Sequence, residues 1–275
     1  MISDSSHREP VVSAPVRSAR SLTAAAAVAA MFVVVPLASV VWRAPLGDAW
    51  SILSGSASRD ALVVSAQTSV IAAILSCVLG VPLAWWLART TARGASVVRT
   101  LCIAPMVLPP VVGGIALLAA FGRRGVLGAP LEEWFGVTIP FTRAAVVMAQ
   151  VFVAMPFLVL SVEAAFRQAG SDLEEAARTL GAGPVRVFWQ VAVPSAGAGI
   201  AAGAVLAWAR SLGEFGATIT FAGSLQGRTQ TLPMVVYESA ALDYRQSLVL
   251  SLLLIVVSVT VLALLRDRWI GGFSR

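Results

Sequence analysis

Few residues in this chain could do chemistry, and their types exclude most of it. All 20 basic residues are arginine, and there is no lysine. A Walker A loop, GxxxxGK[ST], therefore cannot be built, and ATP hydrolysis by that apparatus is excluded. The lone histidine, His7, lies in a polar terminal stretch. With one such histidine and few acids, neither a Ser/His/Asp relay nor a paired-carboxylate site can be assembled. Cys77 and Cys102 sit inside apolar runs without a CxxC. That is the setting of small buried hydrophobes rather than of metal ligands. Two groups of charged residues remain. One is a polar stretch, 170–194, carrying Asp172, Glu174, Glu175 and Arg178. The other is Arg210 with Glu214, four residues on, inside an apolar run.

The elements that hold these groups follow from composition. Hydrophobic residues make up 58% of the 275 and charged residues 12%. Mean hydropathy is +0.84. A water-soluble fold of this length needs more charge to cover its surface, so the solvent is lipid. A helix crosses about 30 Å of hydrocarbon with about 20 apolar residues. Six stretches qualify: 22–42, 61–88, 98–121, 144–166, about 191–215 and 247–265. The first is long for a signal-peptide core and reads as a retained helix. Residues 1–20 are polar and Pro/Ser-rich and read as a disordered cytoplasmic tail. The fold class expected is all-α and integral to the membrane, with six transmembrane helices.

Arginine placement gives an orientation. The tails and the second and fourth loops carry twelve arginines, the other loops seven. The positive-inside rule then puts both termini in the cytoplasm. The arginines are scattered singly rather than gathered in a patch, so no nucleic-acid partner is expected. Trp42, Trp85, Trp86, Trp189 and Trp269 fall at expected helix ends, where indoles prefer the headgroup zone; Trp208 falls inside the fifth span.

The stretch 170–194 is too polar to span. Ser171 or Asp172 suits an N-cap, Glu174 and Glu175 complement the helix dipole, and Gly181, Gly183 and Pro184 end the helix. A second short piece, 185–190, follows. By pattern alone this is either an interfacial connector or a protruding docking helix.

Its spacing resembles the cytoplasmic signature of permease subunits of ATP-binding-cassette importers. That signature is Glu-Ala-Ala, three residues, Gly, nine residues, then aliphatic-x-aliphatic-Pro. Here it reads Glu175-Ala176-Ala177, Gly181, and Val191-Ala192-Val193-Pro194, with Val where Ile and Leu are commoner. The resemblance implies a coupling helix docking in a cleft on a partner ATPase, with Asp172, Glu174, Glu175, Ala176, Ala177, Gly181 and Pro194 as its residues. Motion would pass through Pro194 into the fifth helix.

Two other stretches resemble the oxyanion branch of the family, its molybdate subunits in particular. They are 104–128, with Phe121-Gly122-Arg123-Arg124-Gly125, and 209–233, with Gly213-Glu214-Phe215-Gly216-Ala217-Thr218. The resemblance covers most of 60–265. It implies a homodimer, a cytoplasmic ATPase pair holding ATP and Mg, an external molybdate-binding protein, and a bacterial plasma-membrane location. It implies no cofactor and no catalysis on this chain itself. Sulfate or tungstate is the alternative within the class. An ion-coupled secondary transporter would show inverted repeats and give the loop signature no purpose.

The residues of a path or gate are expected at Pro109, Pro110, Gly113, Gly114, Arg210, Gly213, Glu214 and Gly216. Pro105, Pro109 and Pro110 break the third helix, giving either a kinked packing helix or a gate hinge. Arg210 and Glu214 are one helical turn apart. A charge at midplane costs about 2.5 to 3.5 kcal/mol, so neither faces lipid. They form either a local packing pair or a gate-linked one. The loop 223–231, rich in Gly, Ser, Thr and Gln, is either a flexible external turn or a contact for the solute or its receptor.

Overall fold

The computed structural model describes residues 20–270, and the 1–19 part of the expected N-terminal tail lies outside them. The chain divides into two units, 1–43 and 44–275. Within the first, α1 (Arg20–Arg43) is an apolar helix whose window from Leu22 has a mean hydropathy of 2.4.

The described part of the second unit is built of helices joined by loops. A short α2 (Ala49–Ser54) leads into α3 (Ser56–Arg89), which has Pro82 inside it. Next come α4 (Ala95–Val107), α5 (Pro110–Phe121) and the short α6 (Gly128–Phe135). The central helix is α7 (Arg143–Ala169). Its start is fixed by Thr142, whose hydroxyl accepts the Ala145 N–H at 3.3 Å. Its end is fixed by Gly170, at φ 72. The polar stretch forms α8 (Asp172–Thr179), α9 (Pro184–Val187), a π turn at Phe188–Ala192 and α10 (Val193–Ser195). After it come α11 (Gly197–Leu212), α12 (Gly216–Ala222), α13 (Leu232–Leu242) and α14 (Tyr244–Ile270).

Helices α1, α3, α7 and α14 are each long and apolar enough to cross a membrane, and the bent pair Pro184–Ser195 with Gly197–Leu212 makes a fifth candidate. The third expected span, 98–121, is not one helix. It is α4 and α5, with extended backbone at Leu108 (ψ 138) and Pro109 (ψ 132) between them. Two consecutive prolines cause the break: neither can donate an N–H, and each pushes the residue before it out of the helical region. Pro105, by contrast, is absorbed within α4. The fifth span also differs. Its helix starts at Gly197, after a bend of 80°, and stops at Leu212.

The core is α7, with 61% of its best apolar window buried, against 33% for α3 and 28% for α14. Small residues let its neighbours approach. A Cβ on Gly80 of α3 would sit 2.7 Å from Leu158 of α7, and one on Gly199 of α11 would sit 2.3 Å from the Ala165 Cβ. Trp208 of α11 donates its indole N–H to the Ser69 hydroxyl of α3 at 3.1 Å. This explains a tryptophan inside the fifth span: its ring packs between helices, and its polar atom finds a partner there.

Candidate functional site

The broken helices meet. The α4–α5 elbow, Phe157 of α7 and Arg210 near the end of α11 line a cavity of about 110 Å³, with Pro105, Pro109, Pro110 and Gly113 in its wall. Stretches a hundred residues apart in sequence are thus brought together. Glycine makes the approach possible. A Cβ on Gly216 would lie 2.6 Å from the Pro110 Cβ, and one on Gly114 would lie 2.6 Å from the Thr220 Cβ and 2.8 Å from the Ala217 carbonyl oxygen. A Cβ on Gly113 would lie 3.1 Å from the Phe152 ring. Gly213 differs: its φ is −86, and an added Cβ would meet only the Ala209 carbonyl, at 3.8 Å. Nothing in its surroundings requires glycine.

Arg210 and Glu214 pair at 2.7 Å, but not along one helix face as the spacing suggests. α11 stops at Leu212, so Glu214 lies in the break and reaches back. Its other oxygen accepts the Ala217 N–H at 2.9 Å, which satisfies one free donor at the start of α12. Glu214 is 1% exposed. The Arg210 guanidinium lies 5.9 Å above the Phe157 ring centroid, at the edge of the cavity. The pair is local, and one member also borders the space between the broken helices.

In the polar stretch the structure separates residues that the sequence grouped. Asp172, Glu175 and Ala176 are exposed, and Ala177 is half-buried. Glu174 is 2% exposed and faces inward. Ser171 occupies the N-cap position without capping; its hydroxyl donates to Glu175 Oε1 at 2.7 Å. Gly181 has φ 85 and open space where a Cβ would go, so conformation rather than room demands glycine there. Gly181→Ala is expected to cost about 1 to 2 kcal/mol in that turn. Limited proteolysis should read this as faster cleavage around 180–184, and an unchanged rate would contradict it. Pro194 is exposed, within α10 at the bend before α11.

The sequence reading missed a charged network beside this stretch. Arg89, Arg99 and Arg167 counted there only as orientation charges. In the structure Arg89 pairs with Glu174 at 2.9 Å. Glu163 of α7, 5% exposed, pairs with Arg99 of α4 at 2.7 Å and with Arg167 at 2.8 Å. Arg99 also donates to the Leu87 carbonyl of α3 at 3.2 Å. One acid within the apolar run 144–166 was the available signal, since a buried carboxylate needs a partner.

At the far end of the bundle the loop 223–231 is held rather than free. Arg143 donates to the Gly227 carbonyl at 2.9 Å. Ser224 and Gln230 donate to Glu238 at 2.6 and 2.7 Å. Thr229 is fully buried.

The matched family agrees with this architecture. Residues 80–273 match the family described as binding-protein-dependent transport system inner membrane component. The chain belongs to that family. It is 48% identical over 231 residues to the molybdenum transport system permease protein ModB of Mycobacterium tuberculosis, covering 84% of this chain and 87% of that one. It is 39% identical over 216 residues to the protein of the same name from Escherichia coli (strain K12), covering 78% and 94%. Among solved structures, a permease chain of a bacterial alginate ABC transporter, in complex with an alginate pentasaccharide-bound periplasmic protein, superposes with a TM-score of 0.70 at 14% identity. That match covers 90% of this chain and 91% of the other. The MetNI methionine ABC transporter, in an inward-facing form, matches with a TM-score of 0.56 at 17% identity, over 78% and 95%. This family member is therefore a multi-pass membrane permease with the fold of an ABC importer subunit, and its business is transport.

Proposed function

We propose that this chain forms the membrane path of an ATP-driven molybdate importer. The 48% identity to the mycobacterial molybdenum permease, extending over 84% of the chain, carries the substrate. Two copies form the path, a pair of cytoplasmic ATPases binds ATP and Mg and supplies the energy, and an external binding protein delivers the anion. Both termini face the cytoplasm, as the arginine distribution supports. The ATPase-facing surface is α8 with the turn after it. Leu173 (66% exposed), Leu180 (88%), Val185 (70%) and Trp189 (62%) present apolar area there, beside the exposed Glu175 and the small Ala176. Apolar area of that extent at the polar end of a membrane protein suits a protein partner. The broken helices at Pro109–Pro110 and Gly213–Gly216 form the path and its gate, since irregular backbone within a membrane protein is tolerated where it lines a cavity.

The test is uptake of labelled molybdate at nanomolar concentration in cells with and without this chain, with unlabelled sulfate as competitor. Uptake should vanish on deletion and resist excess sulfate. Surviving molybdate uptake with reduced sulfate uptake would move the substrate to sulfate and leave the permease class standing.

A further inference from the structure

The helix α8 is gripped from the side as well as by its own chain. Glu174 Oε1 accepts from Arg89 Nε at 3.0 Å and from Nη2 at 2.9 Å. Its Oε2 accepts the Trp85 indole N–H at 3.1 Å. Arg178 adds a longer contact at 3.7 Å. The same Arg89 Nη2 donates to the Phe166 carbonyl at 2.8 Å and to the Gly170 carbonyl, groups that the end of α7 would otherwise leave unsatisfied. One guanidinium therefore joins α3, α7 and α8. The Trp85 ring also packs against Phe188, with centroids 5.2 Å apart, so the segment after α8 rests on the same end of α3. The covalent route from α8 to α11 is of another kind. It runs through Gly181 at φ 85, a π turn and an 80° bend. The Gly181 turn has open space around it and can absorb displacement, while a buried charge pair with its hydrogen bonds satisfied resists it.

We propose that Glu174 is a positioning residue that locks α8 to the C-terminal end of α3, so that a push on α8 enters the bundle through Arg89 and Trp85 rather than through Pro194 and α11. The proposal rests on α8 being the ATPase-facing lever. From α3 and α7 the route continues to the gate. Arg99 bonds both to Glu163 of α7 and to the Leu87 carbonyl of α3. Arg99 lies on α4, whose far end is the elbow at Leu108–Pro109 that borders the cavity with Arg210.

The experiment uses the complete transporter, with its ATPase and binding protein, in proteoliposomes, and reads ATP hydrolysed per molybdate imported. Glu174→Gln and Arg89→Gln should each cut uptake about tenfold, the scale of one lost charged hydrogen-bond partner, and raise the ATP-to-anion ratio correspondingly. The double variant should be no worse than Arg89→Gln alone, because Arg89 carries the Glu174 bonds as well as those to the Phe166 and Gly170 carbonyls. Trp85→Phe keeps the ring against Phe188 and removes only the bond to Glu174, so a raised ratio there serves where Glu174→Gln fails to assemble. A wild-type ratio in every variant that assembles, or a double variant showing the product of the two single losses, overturns the proposal. A wild-type complex that imports sulfate instead overturns the substrate reading alone, and the same ratio is then taken with sulfate.

Discussion

Glu214→Ala should destabilise the chain by about 3 kcal/mol, the lower end of the range for removing one partner of a buried pair. Glu214 is 1% exposed and loses two partners at once: Arg210 at 2.7 Å and the Ala217 N–H at 2.9 Å. The low end applies because the Arg210 side chain is 28% exposed and keeps the Phe157 ring beneath it. Glu214→Gln separates the two roles. The amide oxygen still accepts the Ala217 N–H, but no charge answers Arg210. Stability should fall by about 1.5 kcal/mol, the low end for a hydrogen bond between charged groups, while molybdate uptake slows with assembly intact. Denaturant titration in mixed micelles and uptake in vesicles read the two effects. If Glu214→Ala unfolds as the wild type does, the pair is solvated. If Glu214→Gln transports normally, the pair only packs the bundle.

How far the sequence reached depends on the kind of interaction. Lipid-facing runs announce themselves through composition, and α3, α7 and α14 lie where hydropathy puts them. The breaks were readable where proline dictates them, at Pro109–Pro110, since the missing N–H is a local fact. The break at 213–215 was not, because Arg210 and Glu214 fit an unbroken helix equally well, and yet α11 ends at Leu212. Glu174 and Glu175 are adjacent acids that sequence cannot rank; burial against Arg89, 85 residues away, tells them apart. The link from Glu163 to Arg99 spans 64 residues and is equally silent in a single sequence. The same holds for Trp85, which satisfies a headgroup rule and is in fact a hydrogen-bond donor to α8. Local rules placed the elements; pairings between distant elements built the site.

Gly114→Ala should stop transport with far less damage to the fold than its effect on activity suggests. The new methyl carbon would stand 2.6 Å from the Thr220 Cβ and 2.8 Å from the Ala217 carbonyl oxygen. Ordinary contact needs about 3.5 to 4.0 Å, so α12 must move off α5 by about 1 Å. Overpacking of this kind costs about 1 to 3 kcal/mol, which a bundle of this size can survive. The movement, however, falls on Ala217, whose N–H holds the Glu214 carboxylate that in turn holds Arg210 at the cavity. Uptake should drop by more than about tenfold, the factor that 1.4 kcal/mol represents, while the protein still folds and inserts. Thr220→Ala in the same chain should not rescue it, because the clash is with a Cβ and a backbone oxygen, both of which alanine keeps. Thr220→Gly removes one of the two and should restore part of the rate. Initial uptake rates of the three variants decide the matter. Wild-type transport by Gly114→Ala would mean that α5 and α12 separate freely, and that their close contact is no part of the gate.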